Sequence, residues 1–236
     1  MTDETAAPDY PHTELRRSVI TAGYRGDPSD LELIGTCLDH DDASIRCVSI
    51  GAADRVGMLT TQRLVAAFGD PEASVRRRAT ELAAHRIEVD LTPMLHDADA
   101  SVVEVACWAA GEHEHLDDTV LERLIELSTD ADDPLVRESA TAALGAIGDR
   151  RGLRAILAAC DDKPAIRRRA VLALAPFIGS GDAGDGEHTD DERAVAAAID
   201  TALTDRDWQV RQAAEDLQRA SRSTDGEHSE MGSPSE

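Results

Sequence analysis

The stretch DDPLVRESATAALGAIG (Asp132–Gly148) decides the fold. Counting from Val136, small or apolar residues recur four, seven, eight and eleven positions on, at Ala140, Ala143, Leu144 and Ile147. At about 100° per residue they fall inside one arc, the buried stripe of an amphipathic helix. Asp133 stands three before Val136, where a carboxylate accepts the first backbone N–H bonds of a helix. Pro134 follows at the first helical position, which tolerates its missing N–H. Gly148 stands just past the far end, where a helix-terminating glycine belongs.

The pattern recurs in DDASIRCVSIGAADRVG, DPEASVRRRATELAAHR, DADASVVEVACWAAGEH, DDKPAIRRRAVLALAPFIG and DRDWQVRQAAEDLQRA. The residues equivalent to Val136 are Ile45, Val75, Val102, Ile166 and Val210, and the six anchors are spaced 30, 27, 34, 30 and 44 apart. Such a period is the mark of a repeat architecture. Asp42, Asp99 and Asp207 repeat the capping position, Pro164 the proline, and Gly57 and Gly179 the terminal glycine. Shorter apolar stretches lie between these helices, including LELIGTCL, TQRLVAAF, TVLERLIEL, GLRAILAA and AVAAAIDTAL; VDLTPML, with Pro93 inside it, is the weakest. Each unit is therefore a helix pair, and a further helix is expected near His12–Tyr24.

The pattern D-x-x-V-R-x-x-A-x-x-A-L-G-x-I-G-D resembles the HEAT repeat, in the short form named after phycobilisome lyases. The resemblance covers about residues 28–222 in six units. It implies an all-α, right-handed solenoid of the armadillo/HEAT type, six helix pairs plus the N-terminal helix, spanning residues 12–222. The boundaries expected around it are a flexible N-terminus over 1–11, a flexible acidic loop at about 180–191 and a disordered acidic tail over 223–236.

The resemblance also implies a role for the arginine after each anchor. In such repeats this residue forms a polar ladder with acidic residues of the turns, and the matching positions are Arg46, Arg76, Arg137, Arg167 and Arg211. The third unit carries Val103 there, so the ladder should break at that point. The second helices of HEAT solenoids line the concave side, which would turn Arg77, Arg78, Arg168 and Arg169 toward a groove. Two readings of these four stay open. One is a solvated helix face, supported by Glu81 four residues after Arg77. The other is a surface that reads acidic or phosphorylated partners. Val105 and Trp108, three apart and off the apolar stripe, are candidate partner anchors beside them. Trp208, ahead of the last anchor, reads instead as a packing residue of the C-terminal cap.

Composition narrows the function. The 236 residues carry 47 acidic against 24 basic side chains, a formal net charge of −23, and Lys163 is the single lysine. Such a chain repels polyanions, so nucleic acid is disfavoured as a partner. The Asp-rich, Lys-poor balance resembles that of proteins from salt-accumulating halophiles and implies a halophilic archaeal source. At molar salt the Debye length shrinks to about 3 Å and the self-repulsion is screened. There is no apolar run of about 18 residues and no signal-peptide pattern, so the expected setting is the cytoplasm, away from membranes.

Known chemistries find little to use. Deoxyhypusine hydroxylase, a HEAT-like di-iron enzyme, places His-Glu pairs two and three after its anchors; here those positions read Cys47-Val48, Arg77-Arg78, Glu104-Val105, Glu138-Ser139, Arg168-Arg169 and Gln212-Ala213. Without these ligands that metal site has no basis. Nothing marks a bilin pocket, and there is no Walker loop, GxSxG, HExxH or dinucleotide fingerprint. The four cysteines have no zinc-ligand spacing. The turn GEHEHLDD makes His113 and His115 weak metal candidates. The expectation is a non-catalytic interaction scaffold that binds a protein partner and needs no cofactor or obligatory small molecule. The rival is an enzyme or accessory subunit of the lyase- and hydroxylase-related group, carrying a metal or tetrapyrrole.

Overall fold

The computed structural model of the protein describes residues 10–113, 116–179 and 190–230. The described residues form thirteen α-helices and no strand. Helix α1 (Tyr10–Arg25) comes first, outside the pairs. Six pairs follow: α2 (Pro28–Cys37) with α3 (Ala43–Arg55), α4 (Thr61–Ala67) with α5 (Ala73–Ala83), α6 (Thr92–Leu95) with α7 (Ala100–Gly111), α8 (Asp118–Asp130) with α9 (Pro134–Ile147), α10 (Leu153–Ala159) with α11 (Pro164–Ala173), and α12 (Asp190–Ala202) with α13 (Trp208–Glu230). Helix α6 is a single turn of four residues, with Pro93 at its start.

The second helix of each pair begins the way its sequence dictates. All six anchors are buried: Ile45, Val75, Val102, Val136, Ile166 and Val210. The Asp42, Asp99, Asp133 and Asp207 carboxylates accept from the backbone N–H two residues on, at 2.7–2.9 Å. A second carboxylate or ring nitrogen fixes the turn just before. Asp70, Asp97 and Asp205 each accept from the N–H two residues on, and His40 Nδ1 accepts in the same way from Asp42 N. Gly148 ends α9 with φ +69, a left-handed conformation that an L side chain rarely adopts.

The chain divides into two compact units, one up to Ala109 and one from Ala110 on. In the first, α3 packs on α1, α2 and α5. In the second, α9 packs on α8 and α11, and α11 on α13. Small residues bring these helices into backbone contact: a Cβ on Gly145 of α9 would lie 2.5 Å from the Cβ of Ala173 in α11. A chain with so few aromatic residues fills its core by this close approach.

The expected boundaries meet the structure unevenly. The N-terminal segment before Tyr10 and the core of the acidic loop, residues 180–189, lie outside the described residues. The acidic end of that loop is the first turn of α12, where Asp190, Asp191 and Glu192 meet the positive end of the helix dipole. The backbone of α13 continues to Glu230, past the expected end at 222; no proline follows until Pro234. Residues 231–236 lie outside the described residues.

Candidate functional site

The arginines sort by position within each second helix, and the first position after the anchor faces the turns. Arg46 donates Nε and Nη2 to the two oxygens of Asp70, at 2.8 and 2.7 Å. Its Nη1 donates to the carbonyls of His40 and Asp41 in the turn of its own unit. Arg76 repeats this on Asp97 with the carbonyls of Asp70 and Pro71. Arg137 repeats it on Asp162 with those of Ala131 and Asp132. Arg167 reaches Asp205 and the carbonyl of Asp162. A planar guanidinium suits this double task, with one edge on a carboxylate and the remaining nitrogen on carbonyls.

These four side chains are 9–16% exposed, so each charge is largely withdrawn from water and answered. The hydrogen bonds from the guanidinium hold Asp70, Asp97, Asp162 and Asp205 below the ordinary carboxylate range. Arg211, in the last unit, bonds the carbonyl of Asp205 but meets no carboxylate among the described residues. In the third unit Val103 is buried at the arginine position.

The second arginine of each triplet points outward. Arg77 and Arg168 are exposed and make no ion pair among the described residues. The third turns sideways onto the preceding second helix. Arg78 pairs with Glu81 at 2.7 Å and lies over Gly51 of α3, where an added Cβ would stand 2.8 Å from its Nη2. Arg169 lies 3.7 Å from Glu138 of α9. Of the four arginines assigned to the groove, Arg78 and Arg169 are thus engaged in helix packing, and Arg77 and Arg168 are open to a ligand.

Val105 requires a correction. It is 5% exposed, a core residue that no partner can touch. Helix α7 is buried on most of its circumference, at Val102, Val103, Val105, Ala106, Cys107, Ala109 and Ala110. What remains is a narrow stripe through Ser101, Glu104, Trp108 and Gly111. Trp108 lies in it, 39% exposed.

Trp208 requires the opposite correction. It is 64% exposed, not packed into a cap. With Arg168 and Leu172 of α11 and Gln212, Ala213 and Asp216 of α13 it lines a groove of about 270 Å³. Only the position of Leu172 and Asp216, six after their anchors like Trp108, could have pointed to it.

Three of the thiols are poor nucleophiles at neutral pH: burial raises Cys37 and Cys47, and pushes Cys160 up to about 11. His113 is buried and His115 lies outside the described residues. Among the described residues, no three His, Cys, Asp or Glu side chains stand close enough to hold a metal ion. Among them, too, no helix is long and apolar enough to cross a membrane.

The sequence pattern of the family described as HEAT repeats matches residues 88–175. None of the curated proteins compared with the chain is similar to it at a significant level. Two of the solved structures that are similar in fold illustrate the likeness. One is an engineered protein, 21% identical, matched over 80% of this chain and 96% of its own with a TM-score of 0.58. The other is a designed armadillo repeat protein in complex with the peptide (KR)4, 16% identical, matched over 88% of this chain and 99% of its own with a TM-score of 0.50. The fold is an all-α solenoid of the armadillo/HEAT kind.

Proposed function

We propose that the protein is a non-catalytic interaction scaffold that holds a protein segment against the exposed stripes of its second helices. One observation carries this reading. In a chain with nearly two carboxylates for every cation, Arg77 and Arg168 are among the cations left without an ion pair among the described residues. Their neighbours in the same triplets are all engaged, so the openness of these two is a property of the face they occupy. Trp108 adds apolar area on the same kind of face in the first unit, the sort of residue that anchors interfaces.

Other observations support the reading. The raised thiols of Cys37, Cys47 and Cys160 are poor nucleophiles, and the positions of the di-iron ligands hold no histidine. The complex of the designed armadillo neighbour with a (KR)4 peptide supports a peptide segment as the occupant. The net charge of −23 turns nucleic acid away. In this reading the protein works in the cytoplasm of a salt-accumulating cell, as a member of the short, phycobilisome-lyase-like HEAT group.

The test is quantitative co-purification from the native extract at high salt, comparing wild type with Arg77→Glu and Trp108→Ala. A partner retained by wild type and lost by both variants, with helical content unchanged, supports the scaffold. Retention of every partner by both variants contradicts it.

A further inference from the structure

The groove between α11 and α13 has a chemistry of its own. The backbone that carries its aromatic wall is anchored. Trp208 opens α13, whose start is fixed by Gln209 N donating to Asp207 and Asp207 N donating to Asp205. The Asp205 carboxylate is in turn gripped by both donors of the Arg167 fork at 2.8 Å. The indole thus projects from an anchored backbone into the groove. Leaving it in water also forgoes the burial of the 150–250 Å² that such a side chain typically offers. Leu172, 36% exposed, faces the same space.

The charges of the groove are unevenly answered. Asp216 accepts from Gln212 Nε2 at 3.0 Å and from Arg219 Nη1 at 2.7 Å, so its carboxylate is met within α13. Arg168 has no such partner among the described residues, although Arg167 and Arg169 on either side both have one. The imbalance inside the groove is therefore positive, against the sign of the whole chain.

We infer that this groove binds a protein segment presenting an apolar side chain next to a carboxylate, the apolar group between Trp208 and Leu172 and the carboxylate on the Arg168 fork. The inference rests on the scaffold reading and adds the partner's chemistry. The acidic remainder of the surface repels an acidic segment everywhere else, so the groove selects by contrast. A basic segment, drawn by the net charge, would meet a carboxylate already neutralised and a guanidinium that repels it.

The test uses the full chain carrying Trp108→Phe, which leaves Trp208 as the single tryptophan. The probes are a capped pentapeptide with one leucine between two aspartates and its counterpart with lysines in place of the aspartates. The aspartate peptide should shift the Trp208 emission to the blue and saturate. Adding Arg168→Glu should weaken it at least about tenfold, the scale of a lost charge-assisted hydrogen bond, and favour the lysine peptide instead. Arg168→Gln should fall between, with unchanged circular dichroism. No saturable shift, tighter binding of the lysine peptide to the Arg168 protein, or equal aspartate binding by Arg168 and Glu variants would each overturn the inference. Its failure is separable from that of the scaffold, which is tested by Arg77 and Trp108 in the other unit.

Discussion

At the position where α3, α5, α9 and α11 carry an arginine gripping a carboxylate, α7 carries the buried Val103. The position six before the residue that follows each anchor varies too: in the six turns it is His40, Asp70, Asp97, Ala131, Asp161 and Asp205. One set of repeats uses an oriented charge pair and the third an apolar side chain. The two differ in what disturbs them. A half-buried ion pair must keep both partners, because one charge left alone inside is costly; an apolar side chain asks only for area. The comparison teaches that the paired arginines are not interchangeable with their neighbours in the same triplet, whatever their identical chemistry suggests.

The largest way to break the comparison is acid, which attacks every charged rung at once. Hydrogen bonds from the arginines hold Asp70, Asp97, Asp162 and Asp205 below their unfolded value of about 3.9. Asp42, bonded first by Ser44 and then by His12, stands at about 2. Groups depressed in the folded state stabilise it above the unfolded pKa and lose that contribution as pH falls through the folded one. Stability should therefore be flat above about pH 5 and fall from about pH 4 toward 2. Hydrogen exchange should show α3, α5, α9 and α11 opening ahead of α7; uniform opening would mean the rungs do not set the order.

A smaller effect sharpens the contrast at one rung. Arg137→Ala removes a fork on Asp162 and two carbonyl bonds, and should cost about 1.5–3 kcal/mol in urea denaturation. Arg137→Val with Asp162→Ala removes both charges and should cost less than the single change, since no charge is stranded. A double variant weaker than Arg137→Ala would show that the apolar solution does not transfer.

Salt separates the two kinds of interaction further. The repulsion among exposed carboxylates is screened in molar KCl, whereas half-buried rungs are screened much less. The melting midpoint should rise from dilute buffer to molar KCl by the same number of degrees in wild type and in Arg137→Ala. A midpoint indifferent to KCl would remove the halophilic reading of the composition.

Much of this was legible in the sequence, and the failures have physical reasons. The anchors, the capping aspartates and the glycine ending α9 announce themselves because each acts within a few residues of its own position. Val105 was misread because an amphipathic stripe tells which side of a helix is buried first, and α7 is apolar on nearly every side. Trp208 was misread because a tryptophan at a helix start looks like a staple; nothing in one sequence tells whether a neighbour covers it. The third arginine of each triplet was legible only as a flank position, since its partners, Gly51 and Glu138, belong to the preceding repeat.

The most direct test of the account takes one triplet and removes its members one at a time. Arg167, Arg168 and Arg169 are adjacent in sequence and identical in type, yet one grips Asp205, one is open and one lies near Glu138. Urea denaturation of the three alanine variants should place Arg167→Ala about 1.5–3 kcal/mol below wild type, with Arg168→Ala and Arg169→Ala within about 0.5 kcal/mol of it. Equal midpoints for all three would contradict the division of these arginines into structural and outward-facing members.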